Sequence, residues 1–267
     1  MYHITGEVYQ RSQLFGGDIN IVQLWDCERG KFVCKINNNC PPDFFEKEAA
    51  GLSLLADHEL PVPEVLAIEK HQLLLNYLPP GERKPELAGR YLAQLHNIPQ
   101  AKFGLPENNY IGSLNQQNSE YSEWADFLIE KRLGPMLAIY FKENSPLNDD
   151  LKQWKSLYKF IKNNLTQITP SLLHGDLWSG NLYYAQVGPF FIDPAIYVGD
   201  YKVDLAFTEL FGKFPPAFYA AYHEVHPIEK EYEELKNLYQ IYPLLVHANL
   251  FGGSYYQEAL RKAKAYL

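Results

Sequence analysis

The stretch LLHGDLWSGN, residues 172–181, decides the fold prediction because a short apolar run leads directly into a polar, glycine-containing loop. Within this loop, Asp176 and Asn181 are separated by four residues. A Gly188-Pro189 turn between two further apolar segments then leads to Asp193. Apolar segments that flank such a turn are typical of a β-hairpin. A hairpin here would return the chain and bring Asp193 beside Asn181.

The spacing of Asp176 and Asn181 is that of the H-x-D-x-x-x-x-N loop of phosphoryl-transferring enzymes. Phosphoryl transfer needs a group that accepts the proton of the attacking hydroxyl, and hard oxygen ligands that hold Mg²⁺ against the phosphates. We therefore predict Asp176 as the catalytic acid/base and Asn181 and Asp193 as the metal ligands. We expect His174 to support the loop through backbone hydrogen bonds. A metal-hydrolase site is disfavoured because no second histidine stands at H-E-x-x-H spacing and no cysteine is close.

The composition excludes several other classes of protein. The 267 residues are 46% hydrophobic, and 32 acidic against 24 basic residues give a net charge of −8. An acidic chain without a Lys/Arg run is not expected to bind nucleic acid. No apolar stretch approaches the length of a membrane span, and the start of the chain does not resemble a signal peptide, so no membrane association is expected. The three cysteines form no C-x-x-C pair, which favours a reducing, cytoplasmic location.

Two regions of different character follow from the pattern of apolar residues. The first region is strand-rich with one main helix, Phe44–Asp57, whose apolar residues recur every three to four positions. The second region is mainly helical. The Pro79-Pro80-Gly81 segment is the strongest linker signal between them. We therefore predict an N-terminal nucleotide-binding lobe at residues 1–80 and a C-terminal catalytic and substrate-binding helical lobe at residues 81–267.

A nucleotide site also needs a cation for the phosphates, and Lys35 is the candidate. It lies in a β-prone segment, Phe32–Ile36, that is similar to the V-A-I-K strand of kinases. Glu48, on the helix that follows, is its preferred orienting partner, since it precedes the apolar position Leu52 by one helical turn. Glu46 is the competing partner, and on its own Lys35 could equally be a surface lysine at a strand end.

Two further segments are predicted only from their positions. Gly16 and Gly17 precede the first β-prone segment, where a loop covering the phosphates is expected, although a plain turn is an equal alternative. Asn76, Tyr77 and Leu78 end the strand-rich region, where backbone groups of a hinge could pair with adenine.

The sequence resembles the fructosamine kinase (ketosamine-3-kinase) family, whose members are related to the aminoglycoside phosphotransferases. The carrying motif is Leu173–Asn181, and its Trp178-Ser179 pair is the feature that distinguishes this family from its broader relatives. Further matching segments are Phe15–Asn20, Phe32–Lys35, Phe44–Glu48, Gly188-Pro189, Ile192–Ala195, Asp204–Ala206, Phe211-Gly212, Phe214-Pro215 and Ala221–His223. The resemblance extends over nearly the whole chain.

This resemblance implies an α+β, protein-kinase-like two-lobe fold, with a small β-rich N-lobe carrying one main helix and a larger α-rich C-lobe. It implies that Asp176 acts as base towards a sugar hydroxyl, that Asn181 and Asp193 bind Mg²⁺, and that Lys35, oriented by Glu48, holds the phosphates of ATP. The remaining implied roles are sugar stacking for Trp178, support of the catalytic loop for Asp204, and substrate contacts for His247 and Asn249.

The expected reaction is transfer of the ATP γ-phosphoryl group to a hydroxyl, O3, of a ketosamine, in a deglycation role. The sugar could be carried by a free amine, an amino acid or a glycated protein lysine, and a monomer is favoured. The alternative enzyme is a kinase for another hydroxyl substrate, such as an aminoglycoside, choline or a hydroxy amino acid. The alternative from another class is a catalytically silent nucleotide-binding scaffold.

Overall fold

The N-terminal part of the chain forms an antiparallel sheet with one long helix. The computed structural model describes residues 1–14 and 19–267. Five strands form this sheet, in the order β1-β2-β3-β5-β4. The elements of this part are α1 (Tyr2–Thr5), β1 (Val8–Gln13), β2 (Ile21–Cys27), β3 (Gly30–Ile36), α2 (Phe44–Asp57), β4 (Val65–Glu69) and β5 (Gln72–Asn76).

Helix α2 packs against one face of the sheet and forms a small core with it. Phe45 and Leu52 of the helix are buried together with Leu73 and Leu75 of β5. The predicted helix is confirmed with the same bounds, Phe44–Asp57, because its apolar residues occupy one face. This packing places the helix beside β3, the middle strand of the sheet.

The rest of the chain is mainly helical, as predicted, and its buried residues form one large core. Its helices are α3 (Pro85–His96), α4 (Trp124–Phe127), α5 (Gly134–Glu143), α6 (Asn148–Asn164), α7 (Lys202–Thr208), α8 (Pro216–Val225), α9 (Tyr232–Tyr239), α10 (Ile241–Phe251) and α11 (Tyr255–Lys264). Its strands are β6 (Asn109–Ile111), β7 (Leu114–Gln116), β8 (Ser171–Leu173), β9 (Leu182–Ala185), β10 (Gly188–Phe191) and β11 (Tyr197–Gly199). Within the described residues, no helix is long and apolar enough to cross a membrane.

The hairpin predicted after Asn181 is confirmed, but its turn lies elsewhere. Strands β9 and β10 pair antiparallel, with Gly188 opposite Ala185. The turn is therefore formed by Gln186 and Val187, and Gly188-Pro189 begins β10. Pro189, its second residue, is tolerated because β10 belongs to a two-stranded sheet and is therefore an edge strand.

The segment between the sheet and α3 is held against this hairpin. Gly81 N donates to Tyr184 O at 2.9 Å, and Gln186 N donates to Pro79 O at 2.9 Å. The Tyr183 hydroxyl donates to Leu78 O at 2.9 Å. The predicted linker is therefore fixed to the part of the chain that follows the catalytic loop.

Residues 124–143 do not form one continuous α-helix. A π-helical turn, Leu128–Leu133, separates α4 from α5, which starts at Gly134-Pro135. Proline has no backbone N–H to donate to the preceding turn, so the hydrogen-bonding pattern changes just before it. The turn directs the Arg132 side chain into the core, where it is fully buried.

Two helical glycines provide a matched test of the packing. A Cβ at Gly89 in α3 would overlap Phe218 O and lie 3.1 Å from Tyr222 N of α8, whereas a Cβ at Gly51 in α2 would lie 3.6 Å from the Ile196 side chain. We expect Gly89→Ala to destabilise the protein by about 1–3 kcal/mol through overpacking. Gly51→Ala should be neutral or stabilising by up to about 1 kcal/mol, from helix propensity. Thermal unfolding of both variants checks this, and equal effects would contradict it.

Candidate active site

A buried carboxylate holds the start of the loop between β8 and β9. Asp204, on α7, accepts hydrogen bonds from His174 N at 2.7 Å and from Gly175 N at 2.9 Å. Its third partner is His96 Nε2, at 3.2 Å. Gly175 has a φ of 81°, and a Cβ there would overlap Ala195 O. The glycine is therefore required by both conformation and space, and Asp204 fixes the start of the loop.

His174 connects this loop to the segment that follows β10. Its Nε2 donates to Ile192 O at 3.0 Å, and its Nδ1 accepts from Asp176 N at 3.3 Å. Burial lowers the pKa of His174, against the opposing influence of Asp204. The imidazole is therefore neutral at pH 7 and acts as a bridge between two backbone segments.

Asp176 and Asn181 lie together at the cleft side of the loop. Asn181 Nδ2 donates to Asp176 O at 2.8 Å and to Asp176 Oδ2 at 3.0 Å. Both bonds use the amide nitrogen, which turns the amide oxygen of Asn181 away from Asp176. Burial raises the pKa of Asp176 well above its usual value, and the charge of Asp193 raises it further. A carboxylate with a raised pKa is a better proton acceptor than an ordinary one.

The Lys35 ammonium group is buried between two carboxylates. It forms ion pairs with Glu48 of α2 and, at 2.9 Å, with Asp193 Oδ1. Burial alone would lower the pKa of Lys35, but Asp193 and Glu48 more than offset this and raise it. Burial raises the pKa of Glu48, and the charge of Asp193 adds to that rise, although Lys35 opposes it. Glu46, the competing candidate, is exposed.

These residues line one cleft between the sheet and the helical part, with a volume of about 370 Å³. Lys35, Glu48, Asp176, Asn181 and Asp193 all contribute to its wall. Two lysines, Lys35 and Lys47, share the lining with three carboxylates, which leaves excess negative charge. Such a charge excess suits a bound cation.

Part of the cleft wall is aromatic. Trp178, Phe211, His247, Phe251 and Tyr255 line it. The His247 ring centroid lies 4.3 Å from that of Phe211, 5.4 Å from that of Phe251 and 5.3 Å from that of Tyr255. The Trp178 ring lies over Gly180, where a Cβ would overlap it. The wall gives a sugar-sized molecule flat apolar surfaces next to Asp176.

Sequence reasoning missed three residues of this wall, namely Phe211, Phe251 and Tyr255. The four-residue steps from His247 to Phe251 and Tyr255 are a signal that could have found two of them. Phe211 follows no local pattern. Its carbonyl accepts from Ser179 Oγ at 3.2 Å, so the catalytic loop itself holds it in place.

Several predicted site residues are not among the described residues that line the cleft. The Asn249 amide donates to Met136 O at 3.0 Å and to Leu245 O at 2.9 Å, which directs it towards neighbouring helix backbone. The Asn76 side chain accepts from Glu64 N at 2.9 Å. Tyr77 and Leu78 follow it in the connecting segment. Gly16 and Gly17 lie outside the described residues.

Comparison with known proteins identifies relatives of this chain. The family model described as fructosamine kinase matches residues 3–267. A probable ketoamine kinase of Vibrio parahaemolyticus is 39% identical over 97% of this chain and 91% of its own length. A crystal structure of a candidate fructosamine-3-kinase from Thermobifida fusca has a TM-score of 0.88 and 28% identity, covering 99% of this chain and 96% of the other.

The likeness of fold extends to more distant proteins. A ternary complex of streptomycin, ATP and APH(2")-IIa has a TM-score of 0.66 and 18% identity, covering 97% of this chain and 94% of the other. Together with the five-stranded sheet and the helical C-terminal part, this confirms the predicted α+β, protein-kinase-like fold.

The fold and the cleft define an ATP-dependent phosphotransferase of the protein-kinase-like class. Within that class, the chain belongs to the fructosamine kinase family, as the match over residues 3–267 and the 39% identical relative show.

The raised pKa of Asp176 predicts that its ionised carboxylate lowers the stability of the folded protein. Because its folded-state pKa lies above the unfolded value, ionised Asp176 destabilises the folded protein as pH rises through this interval. Asp176→Asn should therefore raise Tm at pH 8 by about 2–4 °C, equivalent to about 1 kcal/mol. The gain should shrink as pH falls towards the ordinary carboxyl pKa of about 4. Thermal unfolding across this pH range measures it.

Glu82→Gln is the control for this prediction, because it removes an exposed negative charge from the connecting segment. It should leave Tm nearly unchanged at both ends of the pH range. A lower Tm for Asp176→Asn at pH 8, or a gain that does not depend on pH, would refute the interpretation.

Proposed function

We propose that this protein transfers the γ-phosphoryl group of ATP to O3 of a ketosamine such as fructosamine, ribulosamine or erythrulosamine. The observation that carries the proposal is the single cleft that Asp176, Lys35, Asp193 and an aromatic wall line together. Membership of the fructosamine kinase family supports the choice of acceptor. The sugar is carried by a free amine, an amino acid or a glycated protein lysine.

Asp176 is the base of the proposed reaction. It accepts the proton of the acceptor hydroxyl as that oxygen forms a bond to the γ-phosphorus and the bond to the β-phosphate oxygen breaks, releasing ADP. Its raised pKa suits this role, because proton transfer is most efficient when the pKa of the base approaches the operating pH. The bonds from Asn181 Nδ2 keep the carboxylate oriented towards the cleft.

The residues around Asp176 fit a nucleotide with its metal ion. Among the described residues, no three His, Cys, Asp or Glu side chains form a metal cluster, so an all-protein metal cage is not what this cleft offers. Asn181 and Asp193 supply one amide oxygen and one carboxylate, a set typical of Mg²⁺ sites that are completed by phosphates and water. Mg²⁺ held there would neutralise charge on the β- and γ-phosphates. Lys35, oriented by Glu48, would hold the α- and β-phosphates.

Trp178 and His247 are the proposed acceptor contacts. Their rings line the cleft next to the catalytic loop, where a sugar ring would have one face on an aromatic surface and one hydroxyl towards Asp176. Phosphorylation at O3 would make the adduct prone to elimination and return the free amine. The proposed physiological role is therefore deglycation.

A panel of acceptors tests the substrate class. ATP turnover with Mg²⁺ should be stimulated by fructosamine, ribulosamine or erythrulosamine adducts of lysine, and the phosphate should appear on O3 by NMR, followed by release of free lysine. Free fructose, an aminoglycoside and choline are the comparison acceptors. Preference for one of these would favour the alternative kinase, and ATP binding without turnover on any acceptor would favour a silent scaffold.

Asp176→Asn tests the chemical role separately. General-base catalysis contributes about 10²–10⁴-fold, so kcat on the best ketosamine should fall by about that factor. The Kd for ATP should stay within about twofold, because the proposed phosphate contact is Lys35. A variant that keeps more than a tenth of wild-type kcat would show that Asp176 is not the base.

A further inference from the structure

Asp193 has a backbone conformation that its surroundings must maintain. Its φ is 55°, in the left-handed region, which costs an L-residue about 1–2 kcal/mol. A non-glycine residue stays there only where neighbouring contacts fix it. The hydrogen bonds on either side of Asp193 therefore decide where its carboxylate points.

On one side, these bonds come from the catalytic loop. Ile192 N donates to Asn181 O at 3.0 Å, and His174 Nε2 donates to Ile192 O at 3.0 Å. Ala195 N donates to His174 O at 2.9 Å. These contacts bind the segment to residues whose positions Asp204 already fixes.

On the other side, the bonds come from the β6–β7 hairpin. Gln116 Nε2 donates to Ala195 O at 3.0 Å, and Asn109 Nδ2 donates to Ile196 O at 2.8 Å. Gln116 is 1% exposed and Asn109 is 8% exposed, so water cannot easily replace either bond. The two amides hold the carbonyl groups that follow Asp193.

Both amides are locked in orientation by their oxygen atoms. Gln116 Oε1 accepts from the Tyr242 hydroxyl at 2.8 Å. Asn109 Oδ1 accepts from Gln116 Nε2 and from Asn118 Nδ2, both at 2.9 Å. A flip of either amide would place oxygen against oxygen and lose these bonds. Their nitrogen atoms therefore point permanently at Ala195 and Ile196.

The chain of amides ends on Arg132, in the π-helical turn. Its guanidinium donates to Asn118 Oδ1 at 2.7 Å and to Gln117 O at 2.6 Å, and it stacks over the Tyr197 ring at 3.8 Å. Within residues 1–14 and 19–267, no carboxylate forms an ion pair with it. A buried charged donor makes strong bonds and polarises the amides linked to it. The guanidinium thus fixes the end of this series of hydrogen-bonded amides.

We propose that Asn109 and Gln116 are positioning residues for phosphoryl transfer. By holding Ile196 O and Ala195 O, they keep the Asp193 carboxylate where it reaches Lys35 and where it would reach the metal ion of the nucleotide. This inference rests on the proposed function in the role assigned to Asp193. The proposed role requires a hydrogen-bond donor at residue 109 and at residue 116. A methionine or leucine of similar size cannot supply one.

The test uses Gln116→Met with Gln240→Met as the matched control. Gln240 is also buried, and its Nε2 donates to Ala206 O at 2.8 Å, so the control loses the same kind of bond at a site away from Asp193. Binding of the non-hydrolysable analogue AMP-PNP is measured by calorimetry, with saturating Mg²⁺ and with EDTA. The wild type should bind more tightly with Mg²⁺.

Gln116→Met should lose about 10–100-fold of this Mg²⁺-dependent affinity, as is typical when a residue that orients a metal ligand is removed. Its Kd in EDTA should stay close to that of the wild type, because the proposed role of Asp193 is to hold Mg²⁺. A purely structural defect would instead weaken nucleotide binding equally with Mg²⁺ and with EDTA. Gln240→Met should keep the wild-type ratio. Should Gln116→Met fail to fold by circular dichroism, Asn109→Leu replaces it with the same expected loss.

The outcomes separate this inference from the proposed function. Equal ratios in Gln116→Met and Gln240→Met, or equal weakening with and without Mg²⁺, overturn the positioning role. If AMP-PNP binding by the wild type does not depend on Mg²⁺, Asp193 is not a metal ligand of the nucleotide, and the positioning role is overturned as well. Mg²⁺-dependent binding without turnover on any ketosamine overturns only the proposed acceptor and leaves the positioning role supported by the variants.

Discussion

The burial of the Lys35 ammonium group is the constraint on which the rest of the structure depends. Lys35 is in the middle strand of the sheet, Glu48 is on α2, and Asp193 follows β10, so one cation joins three separate parts of the chain. Because the ammonium group is buried, it needs these carboxylates to compensate its charge. The sheet, the helix and the helical part are therefore fixed relative to one another at the proposed phosphate-binding site.

The two carboxylates of the cleft, Asp176 and Asp193, depend on a different kind of interaction. Asp176 and Asp193 are held through hydrogen bonds to buried backbone groups, which need a partner wherever water is excluded. Asp204 supplies partners to the loop before Asp176, and His174 joins that loop to the segment around Asp193. Burial, and after it the charge of Asp193, raises the pKa of Asp176. The same arrangement that orients the carboxylates thus also prepares the cleft for a cation and for a proton.

Much of the fold could be predicted from local sequence patterns. The period of the apolar residues gave helix α2 its bounds, and the two apolar segments after Asn181 gave the β9–β10 hairpin. The turn of that hairpin was placed two residues too late. This error arose because glycine and proline mark a change of backbone conformation without fixing on which side of them it occurs.

The sequence by itself determined the residues to which we assign the proposed chemistry, since the Asp176–Asn181 spacing, the Lys35 strand and the helix bearing Glu48 are all local patterns. Only the tertiary structure decided that Lys35 meets Asp193, 158 positions away. It also decided that the hairpin amides of Asn109 and Gln116 hold the carbonyls after Asp193, and that the Asn249 amide turns towards helix backbone. Such contacts depend on packing between distant segments, and the spacing of residues along the chain does not encode it.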